Sequence, residues 1–145
     1  MTAESKLLLY TDGGARGNPG PAAIAYAIFD ATGGLLEKDA KFIGERRTNN
    51  EAEYEALLWG LQKVMERSCE DVRVVLDSEL VVRQISGVYA VNDSRMKQYA
   101  AKVQKHKGLF ASFEIVHARR NDPRIGIVDG LVNEELARRG YPKRG

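Results

Sequence analysis

The sequence predicts an α/β domain: a five-stranded mixed sheet, three antiparallel strands followed by two parallel ones, flanked by helices. Three observations carry this expectation. Residues 7–44 hold three extended apolar runs broken by turn residues, with no helical period. From residue 50 onward, helical patterns alternate with two short β-branched runs. And 145 residues, 43% of them apolar, suit one domain over 1–145 with its own core. The order β-β-β-α-β-α-α-β-α describes a meander first and then strands joined by helical crossovers.

Taken in order, Leu7, Leu8, Leu9 and Tyr10 form a short buried strand that meets a glycine-rich loop at Asp12. The runs 22-AAIAYAIFD-30 and 35-LLEKDAKFIG-44 make a hairpin through 31-ATGG-34. In 50–67, Tyr54, Leu57, Leu58, Leu61, Val64 and Met65 recur at spacings of three and four, which is an amphipathic helix. The run 72-VRVVLD-77 is β-branched enough for a strand buried on both faces. It leads into a short helix over 78–86, closed by Gly87. A basic helix over 93–108, a last strand over 112–117 and a terminal helix over 128–140 complete the chain, with a flexible loop over 117–129.

Composition narrows the function. Charged residues make up 29% of the chain and the net charge is +2, which excludes a disordered or fibrous protein. Acids outnumber bases over 1–94 and bases outnumber acids over 95–145, so one part suits cations and the other a polyanion, unless the charges simply mix over a solvated surface. The longest apolar run, 22-AAIAYAIF-29, is far short of the roughly 18 residues of a membrane span. No signal peptide is read at the amino terminus, and the single cysteine, Cys69, cannot form an internal disulfide. A monomer in the reducing cytoplasm is the expectation.

Strands one and four are expected to be parallel neighbours, and both end in aspartate, Asp12 and Asp77. In an open α/β sheet, ligands gather outside the carboxyl ends of the strands. Singly, Asp12 reads as a turn and Asp77 as a helix cap. Together they repel unless a cation or a shared proton intervenes, and a hard divalent cation is the natural partner for carboxylate oxygens.

The stretches 11-TDGGARGNPG-20, 48-TNNEAEYEAL-57, 76-LDSELVV-82 and 128-VDGLVNEEL-136 together resemble the ribonuclease H type 1 family, over almost the whole chain. The resemblance implies the ribonuclease H-like fold, and four acidic metal ligands at Asp12, Glu53, Asp77 and Asp129. It also implies an enzyme that cleaves the RNA strand of RNA/DNA hybrids, leaving 5′-phosphate and 3′-hydroxyl ends. The cofactor would be Mg²⁺ or Mn²⁺, with two ions expected once substrate is bound. Four carboxylates converging on a phosphodiester suit such a pair. The competing readings are a capping box Asn50-x-x-Glu53 for Glu53 and a dipole-favoured first-turn acid for Asp129.

The glycines at 13, 14, 17 and 20 clear side chains from beside Asp12, so that backbone can approach a wide, shallow minor groove displaying 2′-hydroxyls. By the resemblance, Gly13, Gly14, Asn18, Asn49 and Asn50 face that groove and Thr48 a phosphate. Arg95, Lys97 and Arg120 belong to a basic surface suited to phosphates, while Trp59 reads as core. Three positions depart from the family. The segment 87–99 is short and lacks the tryptophan of a basic protrusion, Glu79 stands where the family often has glutamine, and Arg119 stands where it often has histidine. Arg119 is assigned a catalytic role, with His117 as competitor. Two other functions stay in view: a noncatalytic hybrid-binding module, and a related nuclease acting on double-stranded RNA or DNA junctions.

Overall fold

The computed structural model of the chain describes residues 6–119 and 121–143. A single sheet, ordered β3-β2-β1-β4-β5, is built from β1 (Lys6–Ala15), β2 (Gly20–Asp30), β3 (Leu35–Arg47), β4 (Asp71–Leu76) and β5 (Ser112–His117). The first three strands are antiparallel, and β4 and β5 join them in parallel. Helices α1 (Asn49–Met65), α2 (Glu79–Ile85), α3 (Ser94–Lys107) and α4 (Pro123–Arg138) supply the connections and the final element. The expected five-stranded mixed architecture is what forms.

Side-chain alternation along the strands splits the core in two. Leu7, Leu9, Tyr26, Ile28, Val72 and Val74 face α1, α2 and α3, while Tyr10, Ala23, Ala25, Ala27, Phe29 and Val75 face α4. Leu7, Leu9, Leu57 and Leu61 are fully buried, each a contribution of about 1.5–3 kcal/mol. Trp59, expected in the core, is only partly buried: it packs against the core with its ring edge-on to Tyr26 at 4.7 Å, and the Lys41 ammonium covers it at 4.4 Å.

Two expectations about boundaries need correction. The first strand does not stop at Asp12. It continues to Ala15 because β2 goes on pairing with it, Asp12 opposite Ala25 and Ala15 opposite Ala22. Pairing with β4 ends at Thr11 opposite Leu76, so Asp12 is the first residue of β1 with one flank open. The second correction concerns the expected loop over 117–129, most of which is helix. Asp122 and Pro123 are the N-cap and first residue of α4, with Asp122 Oδ1 accepting from the Arg124 N–H at 3.0 Å. The Tyr10 hydroxyl donates to the other oxygen at 2.7 Å, which pins the cap to the sheet.

Candidate active site

Four elements deliver the four predicted acids to one end of the sheet. Asp12 lies in β1 where its β4 neighbour has ended, and Asp77 follows the last residue of β4. Glu53 stands in the second turn of α1 on one face of the sheet, and Asp129 in the second turn of α4 on the other. What lets Glu53 reach Asp12 is Gly13. A Cβ there would lie 2.2 Å from the Ala52 carbonyl oxygen, so the strand and the start of α1 touch backbone to backbone. The close approach demanded of Gly13 is therefore one of helix to strand. The Gly13 N–H donates to Glu53 Oε1 at 2.8 Å.

Both bland readings of the acids fail on the geometry. The capping box of α1 is Thr48 with Glu51, not Asn50 with Glu53: Thr48 Oγ1 accepts from the Glu51 N–H at 3.1 Å and Glu51 Oε1 from the Thr48 N–H at 2.9 Å. Asp129 is not in the first turn either, since α4 begins six residues before it.

The electrostatics single out an inner pair. Burial, followed by the charge of Asp129, pushes the Asp12 carboxyl up from 3.8 to about 7. Burial and the neighbouring charge of Asp12 raise Glu53 well above its ordinary 4.5. Two acids raised in this way favour either a bound proton or a bound cation beside them. Asp77 and Asp129 are exposed and form the outer half of the cluster. Among the described residues, no three carboxylate, imidazole or thiol groups close into a preformed cage. The donor set is nonetheless that of a hard divalent cation: oxygen ligands only, two of them partly buried and short of positive charge. Mg²⁺ in particular is held by one or two carboxylates, water and substrate phosphates, not by a closed protein cage.

An open depression of about 660 Å³ at the start of α1 gathers Asn18, Thr48, Asn50, Glu51 and Arg95. Asn18 Oδ1 accepts from the Asn49 N–H and Asn49 Oδ1 from the Ala15 N–H, each at 2.9 Å, tying the β1–β2 turn to the start of α1. With those oxygens committed, both side chains have N–H donors to offer, the polarity that suits phosphate, sugar and base acceptors. Glu51, which sequence reasoning passed over, organises the rest. Its buried carboxylate accepts from the Thr48 backbone and from the Arg95 guanidinium at 3.0 Å. Burial pushes its pKa up, but these hydrogen bonds and the charge of Arg95 outweigh it and the net shift is downward.

The remaining predicted residues are dispersed. Gly14 sits in β1 opposite Ala23 and faces α4, where a Cβ would meet Val132 at 3.6 Å. Lys97 is an exposed residue of α3, and Arg120 lies outside the described residues. Arg119 is on the exposed turn before α4, its carbonyl accepting from the Asp122 N–H at 3.1 Å. His117, at the end of β5, brings Nε2 to 3.6 Å from Asp77 Oδ1. Glu79 pairs with Arg83 at 2.8 Å one turn along α2, which offsets the extra negative charge.

Comparison with known proteins agrees with this geometry. A family model described as reverse transcriptase-like matches residues 10–129. A curated ribonuclease HI of Halobacterium salinarum is 34% identical over 127 residues, 88% of this chain and 62% of the relative. A solved ribonuclease H1 from the same archaeon superposes with a TM-score of 0.87 at 31% identity, covering 92% of this chain and 99% of that one. The chain belongs to the ribonuclease H family. A second solved member, LC11 ribonuclease H1 in complex with an RNA/DNA hybrid, superposes with a TM-score of 0.83 at 38% identity over 92% of this chain and 98% of that one. The chain also matches a bifunctional protein of Mycobacterium tuberculosis at 33% identity, spanning 35% of that relative's length. Ribonuclease H membership and the open acidic cluster thus rest on independent observations. Among the described residues, no helix is long and apolar enough to cross a membrane.

Proposed function

We propose that this chain is a divalent-metal-dependent endonuclease that hydrolyses the RNA strand of RNA/DNA hybrids, leaving 5′-phosphate and 3′-hydroxyl ends. The observation that carries the reading is the Asp12–Glu53 pair: two partly buried carboxyls pressed together, their pKa values raised, beside two further acids at an open strand end. A site built only for stability would not hold such a pair; a site waiting for positive charge would.

Asp12, Glu53, Asp77 and Asp129 would hold Mg²⁺ or Mn²⁺, two ions once substrate is present. Ions held by these four carboxylates would lower the pKa of an attacking water and stabilise the leaving 3′-oxygen. Asp12 sets the centre of the site, because it is the acid that both Glu53 and Asp129 influence. Asn18, Asn49, Asn50 and the Gly13–Gly14 backbone contact the minor groove, and Thr48 and Arg95 a phosphate. Glu51 holds that phosphate pair together and so fixes the register of the hybrid against the acids. Arg120 would extend the phosphate contacts. Residues 1–145 act as one domain, a monomer, and cytoplasmic use fits a chain whose single cysteine, Cys69, is buried.

Arg119 attracts the phosphate product in this proposal, since arginine keeps its charge at any ordinary pH. A second assignment is favoured by a specific contact, His117 Nε2 beside Asp77. A titratable imidazole there would exchange protons with the reacting centre. Turnover against pH for wild type, Arg119→Ala and His117→Ala separates the two. A fall of more than about tenfold in Arg119→Ala with an unchanged pH profile supports arginine, whereas a pH inflection lost only in His117→Ala moves the role to histidine.

The deciding experiment for the whole reading uses labelled RNA/DNA, RNA/RNA and DNA/DNA duplexes in Mg²⁺ and in Mn²⁺. Cleavage of the RNA strand of the hybrid is expected. Tight hybrid binding without cleavage in either metal would mark a binding module, and preferred cleavage of RNA/RNA would move the substrate to double-stranded RNA.

A further inference from the structure

Outside the acids and the substrate depression, one polar chain leads back into the site from the far side of α4. Arg16 follows β1, its backbone N–H donating to the Pro21 carbonyl at 2.8 Å across the β1–β2 turn. Its guanidinium makes two bonds to distant parts of the sequence: Nε to the Tyr141 carbonyl at 3.1 Å, and a terminal nitrogen to Asn133 Oδ1 at 2.9 Å. A guanidinium only donates, so it decides which way round the Asn133 amide lies. The oxygen faces Arg16 and the NH₂ group faces away, towards Asp129, whose Oδ2 is 3.4 Å from Asn133 Nδ2. Asn133 is one turn beyond Asp129 on α4, the spacing at which helical side chains meet.

The other end of the chain is equally fixed. Tyr141 stacks on Phe42 of β3 with ring centroids 6.2 Å apart and planes within 7°. Its hydroxyl donates to Glu45 at 2.7 Å and its N–H to the Leu136 carbonyl at 2.8 Å. The segment after α4 is therefore held against β3, and it presents a carbonyl that locates Arg16.

We propose that Arg16 is a positioning residue for Asp129: anchored on Tyr141, it orients the Asn133 amide so that an N–H is presented to the Asp129 carboxylate and fixes how that exposed carboxylate is turned. This rests on the reading of Asp129 as a metal ligand. An exposed aspartate on a helix otherwise has its rotamers open, and a ligand that must be gathered before it binds gives weaker affinity. Residues that orient a metal ligand typically change affinity or activity by about 10- to 100-fold when removed.

The test measures Mn²⁺ binding calorimetrically to the full chain without nucleic acid, together with the Mg²⁺ concentration for half-maximal cleavage of a hybrid. Arg16→Met keeps the length of the side chain and loses every donor, Arg16→Lys keeps one, and Asn133→Leu breaks the relay while leaving the bond from Arg16 to Tyr141. Arg16→Met and Asn133→Leu are expected to weaken Mn²⁺ binding by about tenfold, Arg16→Lys by less, with hybrid KM unchanged at saturating Mg²⁺. Wild-type Mn²⁺ affinity in Arg16→Met and Asn133→Leu, alongside a loss in Asp129→Ala, overturns the proposal and leaves Asp129 a ligand. Wild-type affinity in Asp129→Ala overturns the ligand reading itself and the proposal with it. Should Arg16→Met fail to fold, Asn133→Leu and Arg16→Lys decide the question by the same criterion.

Discussion

Glu51 and Glu53 stand two residues apart at the start of α1, and their surroundings push them in opposite directions. Glu51 is buried but satisfied: the Thr48 backbone and the Arg95 guanidinium hold its pKa below the ordinary value. Glu53 leans on Asp12, receives one N–H from Gly13, and is raised well above that value. Neighbouring positions of one helix thus serve two ends. In the proposed function the satisfied acid would belong to the scaffold that aligns a substrate, and the frustrated one to a site that gains its missing charge only on binding.

Removing the inner acids breaks the contrast most severely. Asp12→Asn and Glu53→Gln should each lower turnover by about 10² to 10³-fold or more, while in EDTA they leave the melting temperature unchanged or raise it. Steady-state cleavage in saturating Mg²⁺ and thermal melts in EDTA check this, and near-wild-type turnover would dismantle the metal-site reading. Glu51→Ala should do the reverse. It should cost about 1–2 kcal/mol of stability through the lost cap, with a rise in hybrid KM and a smaller effect on kcat. Denaturant melts and Michaelis curves measured together would show it.

The contrast sharpens further in the pH dependence of stability. Asp12 and Glu53 both have raised folded-state pKa values; the Asp12 contribution is complete below pH about 4 and is lost as pH rises through about 7, and that of Glu53 is likewise lost as pH rises. Glu51 has a lowered value; its contribution is present above about 4.5 and is lost as pH falls. Melting temperatures in EDTA from pH 3.5 to 8 should therefore lose their downward drift towards neutral pH in Asp12→Asn. They should lose part of the acid-side drop in Glu51→Gln. The smallest effect is expected at Arg95, whose side chain is 68% exposed. Arg95→Ala should cost about 1 kcal/mol of stability, because the buried Glu51 carboxylate loses one partner while keeping its bond to the Thr48 backbone, and should reduce the salt slope of hybrid binding by about 1, read by denaturant melts and by titrations at several salt concentrations.

Which parts were legible in the sequence follows from how local each determinant is. Strand and helix periods revealed the order of elements, and strand-end aspartates on parallel neighbours pointed to Asp12 and Asp77, whereas Glu53 and Asp129 were implied only by the family resemblance. Thr48 and Asn50 are both competent caps with a glutamate three residues on, so the local pattern fits two registers. The choice between them is made by Asn18 accepting from the Asn49 N–H and by Arg95 on Glu51, from 31 and 44 residues away. Likewise Asn-Asp-Pro reads equally as a loop or as a helix start, and Tyr10, 112 residues earlier, settles it. Arg16, Asn133 and Tyr141 carried no local signal at all, since their relation exists only after α4 has docked.

The alanines of β2 matter in a way unconnected with charge. Ala23, Ala25 and Ala27, fully buried beneath Val128, Val132 and Leu136 of α4, make that layer of the protein thin. Ala25 is the cross-strand partner of Asp12, and Asp129 follows Val128 directly. Three methyl groups therefore act as a spacer that sets how near a helix-borne carboxylate comes to a strand-borne one. The width of the site is dictated in part by a strand that contributes nothing to its chemistry.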